Sequence, residues 1–178
     1  MRQAAFVNLS EDPLLSVVIA YGKSKLAIEL IEQMPPMNLM VGNFNGDTAL
    51  HVAVAKGDES VVEALIENND ILLRSSNNQL EIPLHKAALF GQRRIFWNLV
   101  KKYHSSAHAR RKDGATMLHL AIMGNAPELA LEIAIEYPDL MIARNDKAVT
   151  PLQLMVTLPK AFRSQLHLGP LESLIYEC

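Results

Sequence analysis

A four-residue phrase that recurs every 34 residues is the feature that most constrains how this polypeptide can fold. Its copies are Thr48-Ala49-Leu50-His51, Ile82-Pro83-Leu84-His85, Thr116-Met117-Leu118-His119 and Thr150-Pro151-Leu152-Gln153. A fixed period of this length is typical of stacked supersecondary units, in which each unit contacts only its neighbours. Such a stack presents a long open surface, and the sequence therefore favours a protein that binds other proteins.

Each copy of the phrase opens a pair of helices. In the copy at residues 43–68, a short helix begins at Thr48 and runs to Lys56, and Gly57 ends it because glycine readily adopts left-handed backbone angles. A second, amphipathic helix follows over about residues 59–67. The same stop position holds Gly22, Gly91 and Asn125 in the other units, whose second helices we place at about 24–33, 92–103 and 127–137.

The spacing predicts an all-α solenoid of about five helix-turn-helix units within residues 1–158. Their approximate bounds are 10–42, 43–76, 77–110, 111–144 and a partial unit at 145–158. Pro159 interrupts the fifth unit, because proline cannot continue a helix. Residues 159–178 are therefore expected to form a C-terminal extension that caps the last unit or links it to a further segment.

Composition narrows the class of protein further. The chain has 178 residues, of which 49% are hydrophobic, and this is enough to bury a sizeable core. A formal net charge of −2 argues against a nucleic-acid binder driven by bulk electrostatics. The single cysteine, Cys178, cannot form an internal disulfide, and we find neither a secretory signal nor an apolar run of membrane-spanning length. As given, the protein is expected to be cytoplasmic.

The phrase and its context carry a family resemblance. Residues 48–57 read Thr-Ala-Leu-His-Val-Ala-Val-Ala-Lys-Gly, and residues 83–91 read Pro-Leu-His-Lys-Ala-Ala-Leu-Phe-Gly. This resembles the ankyrin repeat over about residues 12–158. The resemblance implies an ankyrin-repeat solenoid that serves as a non-catalytic protein–protein interaction module.

A second resemblance concerns the C-terminal extension. Residues 159–164 (Pro-Lys-Ala-Phe-Arg-Ser), His167-Leu168-Gly169 and residues 174–178 (Leu-Ile-Tyr-Glu-Cys) resemble the junction after the repeats in the plant ankyrin/PGG-domain membrane proteins. This implies the cytosolic part of a membrane-anchored plant protein of defence or stress signalling. An alternative is a regulatory or assembly domain of a channel-like or transport-like membrane protein.

Three of the six histidines belong to the repeated phrase, namely His51, His85 and His119. In ankyrin repeats this histidine bonds the helix start and links neighbouring units, so we expect a structural role. His104 and His108 have the spacing of a metal-binding pair but lack a third ligand. Because no nucleophile, base or phosphate-binding loop is recognisable either, we expect no enzyme activity, no metal, no cofactor and no small-molecule substrate.

Candidate partner-binding residues come first from the ends of the first helices. The residues just before each stop lie on the concave side of an ankyrin stack, where they are variable and accessible. In this sequence these positions hold Tyr21, Lys56, Leu89, Phe90 and Met123. Apolar side chains there indicate a contact surface. The alternative is that they pack against adjacent repeats.

The turn tips and an uneven charge distribution give a second candidate surface. Phe44 has no role in an Asn-Gly turn, so it either meets a partner or packs on a neighbour. Residues 82–112, which we call the basic belt, hold eight Lys or Arg and no Asp or Glu, and the belt ends with Arg110, Arg111 and Lys112. Such a belt could meet an acidic protein or an anionic membrane surface. Alternatively, its charges pair between repeats. Trp97 is either an exposed anchor or an edge-packing residue.

Overall fold

The computed structural model describes residues 12–157, apart from the side chain of Ser105. Within that range the protein forms α-helices, short 3₁₀ helices and turns, with no β-strand, which confirms the predicted all-α class. The α-helices are α1 (Leu14–Ala20), α2 (Ser24–Gln33), α3 (Ala49–Lys56), α4 (Glu59–Asn68), α5 (Pro83–Leu89), α6 (Arg93–Lys102), α7 (Met117–Met123), α8 (Pro127–Glu136) and α9 (Pro151–Thr157). Each outer helix leads into a 3₁₀ helix, at Pro36–Met40, Asp70–Arg74, His104–His108 and Pro138–Ile142. The C-terminal extension lies outside the described residues.

The helices form two layers. The inner helices α1, α3, α5, α7 and α9 pack against one another in sequence order, and each of the first four also packs against the outer helix that follows it. We number the resulting units one to five, unit five being represented by α9 and its preceding turn. The core lies between the layers, where Leu50, Leu84 and Leu118 occupy the same repeat position and are all buried.

The predicted stop between inner and outer helix is confirmed. Gly22, Gly57 and Gly91 have φ angles of 70°, 76° and 63°, and Asn125 has a φ of 55°. These left-handed angles reverse the backbone within a few residues, so that the outer helix packs back on its inner helix. Asn125 replaces glycine because asparagine tolerates this region better than most residues.

A tight turn, which we call a finger, precedes each inner helix from unit two onward. The fingers are residues 43–47, 77–81, 111–115 and 145–149. In each finger the first N–H donates to the fifth carbonyl, as from Asn43 to Asp47 at 2.9 Å. Successive fingers are joined by backbone hydrogen bonds: Asn78 N–H donates to Asn45 O, Lys112 N–H to Gln79 O, and Asp146 N–H to Asp113 O, at 3.0, 2.8 and 3.0 Å.

The histidines of the phrase brace the helix starts, as predicted. Nδ1 of His51 accepts the N–H of Thr48 at 3.1 Å, so its Nε2 carries the proton and donates to the carbonyl of Glu81 at 2.8 Å. His119 makes the same two bonds, to Thr116 N and Val149 O, at 3.2 and 3.0 Å. The second bond reaches the next finger, so each ring ties one unit to the following one.

His85 departs from this pattern. Its Nδ1 accepts the N–H of Ile82 at 3.0 Å, but its buried Nε2 makes no hydrogen bond of normal geometry, although the carbonyl of Ala109 lies nearby. Burial lowers the pKa of His85 to about 4. Burial is also the main cause that lowers the pKa of His51 and of His119, so all three rings favour the neutral form.

Candidate protein-interaction surface

The ends of the inner helices carry a row of exposed side chains, which we call the helix-end row. Tyr21, Lys56, Phe90 and Gly124 occupy the same position in units one to four. The exposed fractions of Tyr21 and Phe90 are 77% and 53%, and Lys56 is also exposed. The structure thus places two aromatic rings in solvent at equivalent sites of a regular stack.

Unit four is different because its inner helix approaches that of unit three very closely. A Cβ atom on Gly124 would lie 1.8 Å from the carbonyl oxygen of Leu89, so only glycine fits there. Leu89 is half-buried, and it is the least accessible of the five predicted helix-end residues. Met123, one residue earlier, is 46% exposed and continues the apolar row.

The fingers carry a second apolar row, which we call the fingertip row. Phe44 is 82% exposed at the tip of the unit-two finger. Leu80, at the tip of the next finger, is 56% exposed and has a φ of 57°. Sequence reasoning missed Leu80, although the period could have revealed it, because Leu80 stands 34 residues from both Gly46 and Gly114.

The fingertip row lies at the N-terminal ends of the inner helices, and the helix-end row lies at their C-terminal ends. Each inner helix has seven or eight residues, which corresponds to a length of about 12 Å. A partner that lies across the inner helices can therefore meet apolar side chains on both edges.

Four of the eight cations of the basic belt form ion pairs with carboxylates, mostly between units. Lys86 lies 3.3 Å from Asp47 and 2.9 Å from Glu81. On the outer helices, Arg93 pairs with Glu132 of unit four and Arg94 with Glu59 of unit two. The carboxylates of the flanking units thus neutralise part of the belt, as the alternative of pairing between repeats expects.

The three basic residues that end the belt have different surroundings. Arg111 pairs with Asp113 and, at 3.4 Å, with Glu81, and its hydrogen bond is the main cause that lowers the pKa of Asp113 to about 2. Arg110 donates to the carbonyls of Gly114 and Arg144 at 2.9 and 2.8 Å. Lys112 is exposed. Arg110 and Lys112 therefore carry the charge that remains available at this finger.

Glu81 is the most buried carboxylate in these contacts. Its burial acts to raise its pKa, but hydrogen bonds from Lys86 and Asn77, together with the charges of Lys86 and Arg111, outweigh this effect and lower it. Asn77 also donates to Asp47 at 2.6 Å. A single network therefore connects the fingers of units two, three and four.

Trp97 lies in an inter-unit contact and is half-buried. Its Nε1 donates to Glu132 at 2.7 Å, and its ring meets Phe96 edge to face with centroids 5.1 Å apart. Because Glu132 also binds Arg93, this carboxylate joins α8 to α6 through two partners. Of the two roles weighed for Trp97, this geometry matches packing at the edge of its unit.

One histidine of the pair on the third 3₁₀ helix, His108, also has local partners. Nε2 of His108 lies 3.1 Å from a carboxylate oxygen of Asp139, and its ring packs edge-on against Tyr137, whereas His104 is exposed. Among residues 12–157, no three His, Cys, Asp or Glu residues lie together in a group that could hold a metal ion. In the same range, none of the helices is both long and apolar enough to cross a membrane.

Comparison with known proteins agrees with this architecture. A family model for ankyrin repeats (3 copies) matches residues 14–113. Alpha-latrotoxin-Lh1a of Latrodectus hasselti is 32% identical over 103 residues, which is 58% of this chain and 8% of that protein. Alpha-latrotoxin-Lt1a of Latrodectus tredecimguttatus is 35% identical over 79 residues, or 44% of this chain and 6% of that protein. The present sequence thus spans less than a tenth of the length of these relatives. Since the family model covers more than half of the sequence, the protein belongs to the ankyrin-repeat family and is built as a protein–protein interaction module.

Proposed function

We propose that this protein is a non-catalytic module that captures a protein partner across its inner helices. The observation that carries the proposal is the pair of apolar rows described above, with Tyr21, Phe90 and Met123 on one edge and Phe44 and Leu80 on the other. Exposed aromatic side chains at regular positions are typical of contact surfaces. Because the stack is already folded, a partner binds it with little ordering cost.

The ion pairs that the basic belt forms favour a protein partner over an anionic lipid surface. Lys86, Arg93, Arg94 and Arg111 each pair with carboxylates of the same molecule. Their charges therefore contribute little to a field that could hold a membrane. The remaining cations near the unit-four finger are suited to steering an acidic partner toward the surface.

The proposal is tested by comparing Phe90→Asp with Ile71→Asp as bait in affinity capture from cells of the source organism. Both changes place an acid on an exposed apolar position, but Ile71 lies on the 3₁₀ helix after α4 and belongs to neither row. Loss of a central aromatic anchor typically costs about 2 kcal/mol or more, or about 30-fold in affinity. We expect partners of the unmodified protein to be retained by Ile71→Asp and lost by Phe90→Asp.

Circular dichroism of the two variants serves as the folding control. If both folded variants capture the same proteins at the same yield as the unmodified protein, the helix-end row is not the binding surface. If both lose them equally, the contact is not specific to that row.

We also propose that the stack is the recognition part of a longer, membrane-tethered protein of the plant type that residues 159–178 resemble. This finer proposal is supported by the motifs of that segment and by the relatives, in which the matching segment is a small part of a much longer protein. Reading the transcript beyond the Cys178 codon tests it. Several apolar runs of about 20 residues should follow, and a stop codon at that point would exclude the tether.

A further inference from the structure

Unit one lacks the buried ring that braces the helix starts of units two, three and four. The starts of α1 and α3 align Pro13 with Thr48, at the position before each helix, and Ser16 with His51, inside the first turn. Proline has no backbone N–H, so unit one does not need the acceptor that His51 provides. Serine is also too short to reach the next finger, which His51 reaches through Nε2. The space of one imidazole ring is therefore left unfilled at the start of α1.

A cavity of about 210 Å³ lies at this place, with Ser16 in its wall. Val41 and Ala49 also line it, and they flank the finger at 43–47 that an imidazole in unit one would meet. Other parts of the wall, such as Leu30 of α2, are half-buried. Because these residues remain partly accessible, a small molecule can enter the cavity from solvent.

One polar atom in the wall of the cavity lacks a partner. Ser16 is only 4% exposed, and its Oγ makes no hydrogen bond within the part of the chain that the structure describes. A buried hydroxyl without a partner is unfavourable, and a ligand that bonds to it removes this cost. Asn38 is the other polar side chain of the wall, and the remaining lining residues are apolar. The cavity therefore suits a largely apolar molecule with one or two polar atoms.

We propose that this cavity binds a small, neutral heteroaromatic molecule of the azole or indole class, with its ring in the place of the missing imidazole and its polar ring atom bonded to Oγ of Ser16. A protein cavity of about 150 Å³ lined by aliphatic and aromatic side chains binds benzene, so the larger cavity of this protein has room for a second, fused ring. Among the described residues that line it, none is charged. A charged ligand would therefore lose its hydration without gaining a partner.

An NMR titration of the full chain with indole, read from the methyl groups of Leu30 and Leu39 in the cavity wall, tests the proposal. We expect one saturable site with a Kd of about 1 mM or tighter, the range that a ligand of this size reaches in a well-formed pocket. Ser16→Ala keeps the cavity but removes the hydroxyl, so the Kd should rise by about threefold to tenfold.

Ser16→His should fill the cavity with the ring that the other units carry and raise the Kd by at least about tenfold. Ser60→His is the matched control, because it makes the same replacement at an exposed serine that does not line the cavity. It should leave the Kd unchanged.

Two results would overturn the proposal. If indole at up to about 10 mM causes no saturable shift of these methyl signals, the cavity does not accept a ring. Equal affinity of the unmodified protein and folded Ser16→His would mean that indole binds elsewhere, for example on the helix-end row. Circular dichroism shows whether each variant is folded. If Ser16→His is not, Leu30→Trp fills the same cavity from the α2 side, and an unchanged Kd in that variant would contradict the proposal equally.

Discussion

In three successive units a histidine Nδ1 accepts the N–H that opens the inner helix, and unit five shows what this position requires. Gln153 stands at this position, and its Oε1 accepts the N–H of Thr150 at 2.9 Å, as Nδ1 of the histidines does for Thr48, Ile82 and Thr116. The common requirement is an acceptor for the N–H that opens the inner helix. A histidine ring is one way to provide this acceptor. Because the ring can bind a proton, burying it makes the stability of the fold depend on pH.

We expect His85→Gln to reduce the loss of stability in mild acid. The pKa of His85 is about 4 in the folded protein, so between pH 6.5 and 4 the unfolded state binds a proton that the folded state does not. The free energy of unfolding therefore falls as the pH decreases through this window, by about 2 kcal/mol at pH 5 from this residue alone. Urea unfolding at pH 7.5 and pH 5 measures the difference.

His104→Gln is the matched control, because it makes the same replacement at an exposed histidine. An identical acid-side decline in His85→Gln and the unmodified protein would show that the buried ring of His85 does not carry this proton linkage.

At the scale of elements, local chemistry fixes where helices begin and end. The stops at Gly22, Gly57, Gly91 and Asn125 could be predicted from the sequence, because each depends on the backbone preference of a single residue. Gly124 could not be understood in this way. Its φ is −76°, and it is required by the distance between α5 and α7, which no local pattern encodes.

Two glycine substitutions distinguish the local backbone requirement from the requirement set by the distance between α5 and α7. Gly124→Ala should lower the free energy of unfolding by about 3 kcal/mol or more, because the added Cβ would collide with the carbonyl of Leu89 and the helices would have to shift. Gly22→Ala meets open space but keeps a φ of 70°, so it should cost only about 1 kcal/mol. Equal losses in urea unfolding would mean that α5 and α7 are free to move apart.

The candidate interaction surface, like the helix boundaries, could be predicted from the sequence only in part. The repeat phase located Tyr21, Phe90 and Met123 at accessible helix ends, because exposure there follows from the geometry of the stack. Whether a partner binds them stays a prediction. Leu89 is instead half-buried against the core, as the alternative of packing against adjacent repeats allows.

At the scale of the whole molecule, charged side chains mainly connect neighbouring units through ion pairs rather than form an exposed charged surface. The sequence shows the basic belt between acidic flanks, but it does not show which charges meet. In the structure, Glu81 receives Lys86 and Arg111 while it is nearly inaccessible to solvent. Burying these groups is tolerable only because they are paired and hydrogen-bonded.

We expect Glu81→Gln to destabilise the stack by about 2 to 3 kcal/mol, because it leaves the partly buried ammonium of Lys86 with Asp47 as its remaining carboxylate partner. Glu59→Gln removes the exposed pair with Arg94 and should cost about 0.5 kcal/mol or less. Urea midpoints of the two variants check the prediction. Similar midpoints would show that the network around Glu81 adds no more than a surface pair.

The backbone hydrogen bonds between successive fingers have a consequence for how the sequence of such a protein can change during evolution. Each pair of successive fingers shares one bond from a backbone amide to a backbone carbonyl, and these bonds are indifferent to which side chains occupy the outermost positions. Phe44 and Leu80 can be exchanged for other residues while the joints persist. Single substitutions at these exposed fingertip positions can therefore change partner specificity during evolution, while the backbone hydrogen bonds between the fingers stay intact.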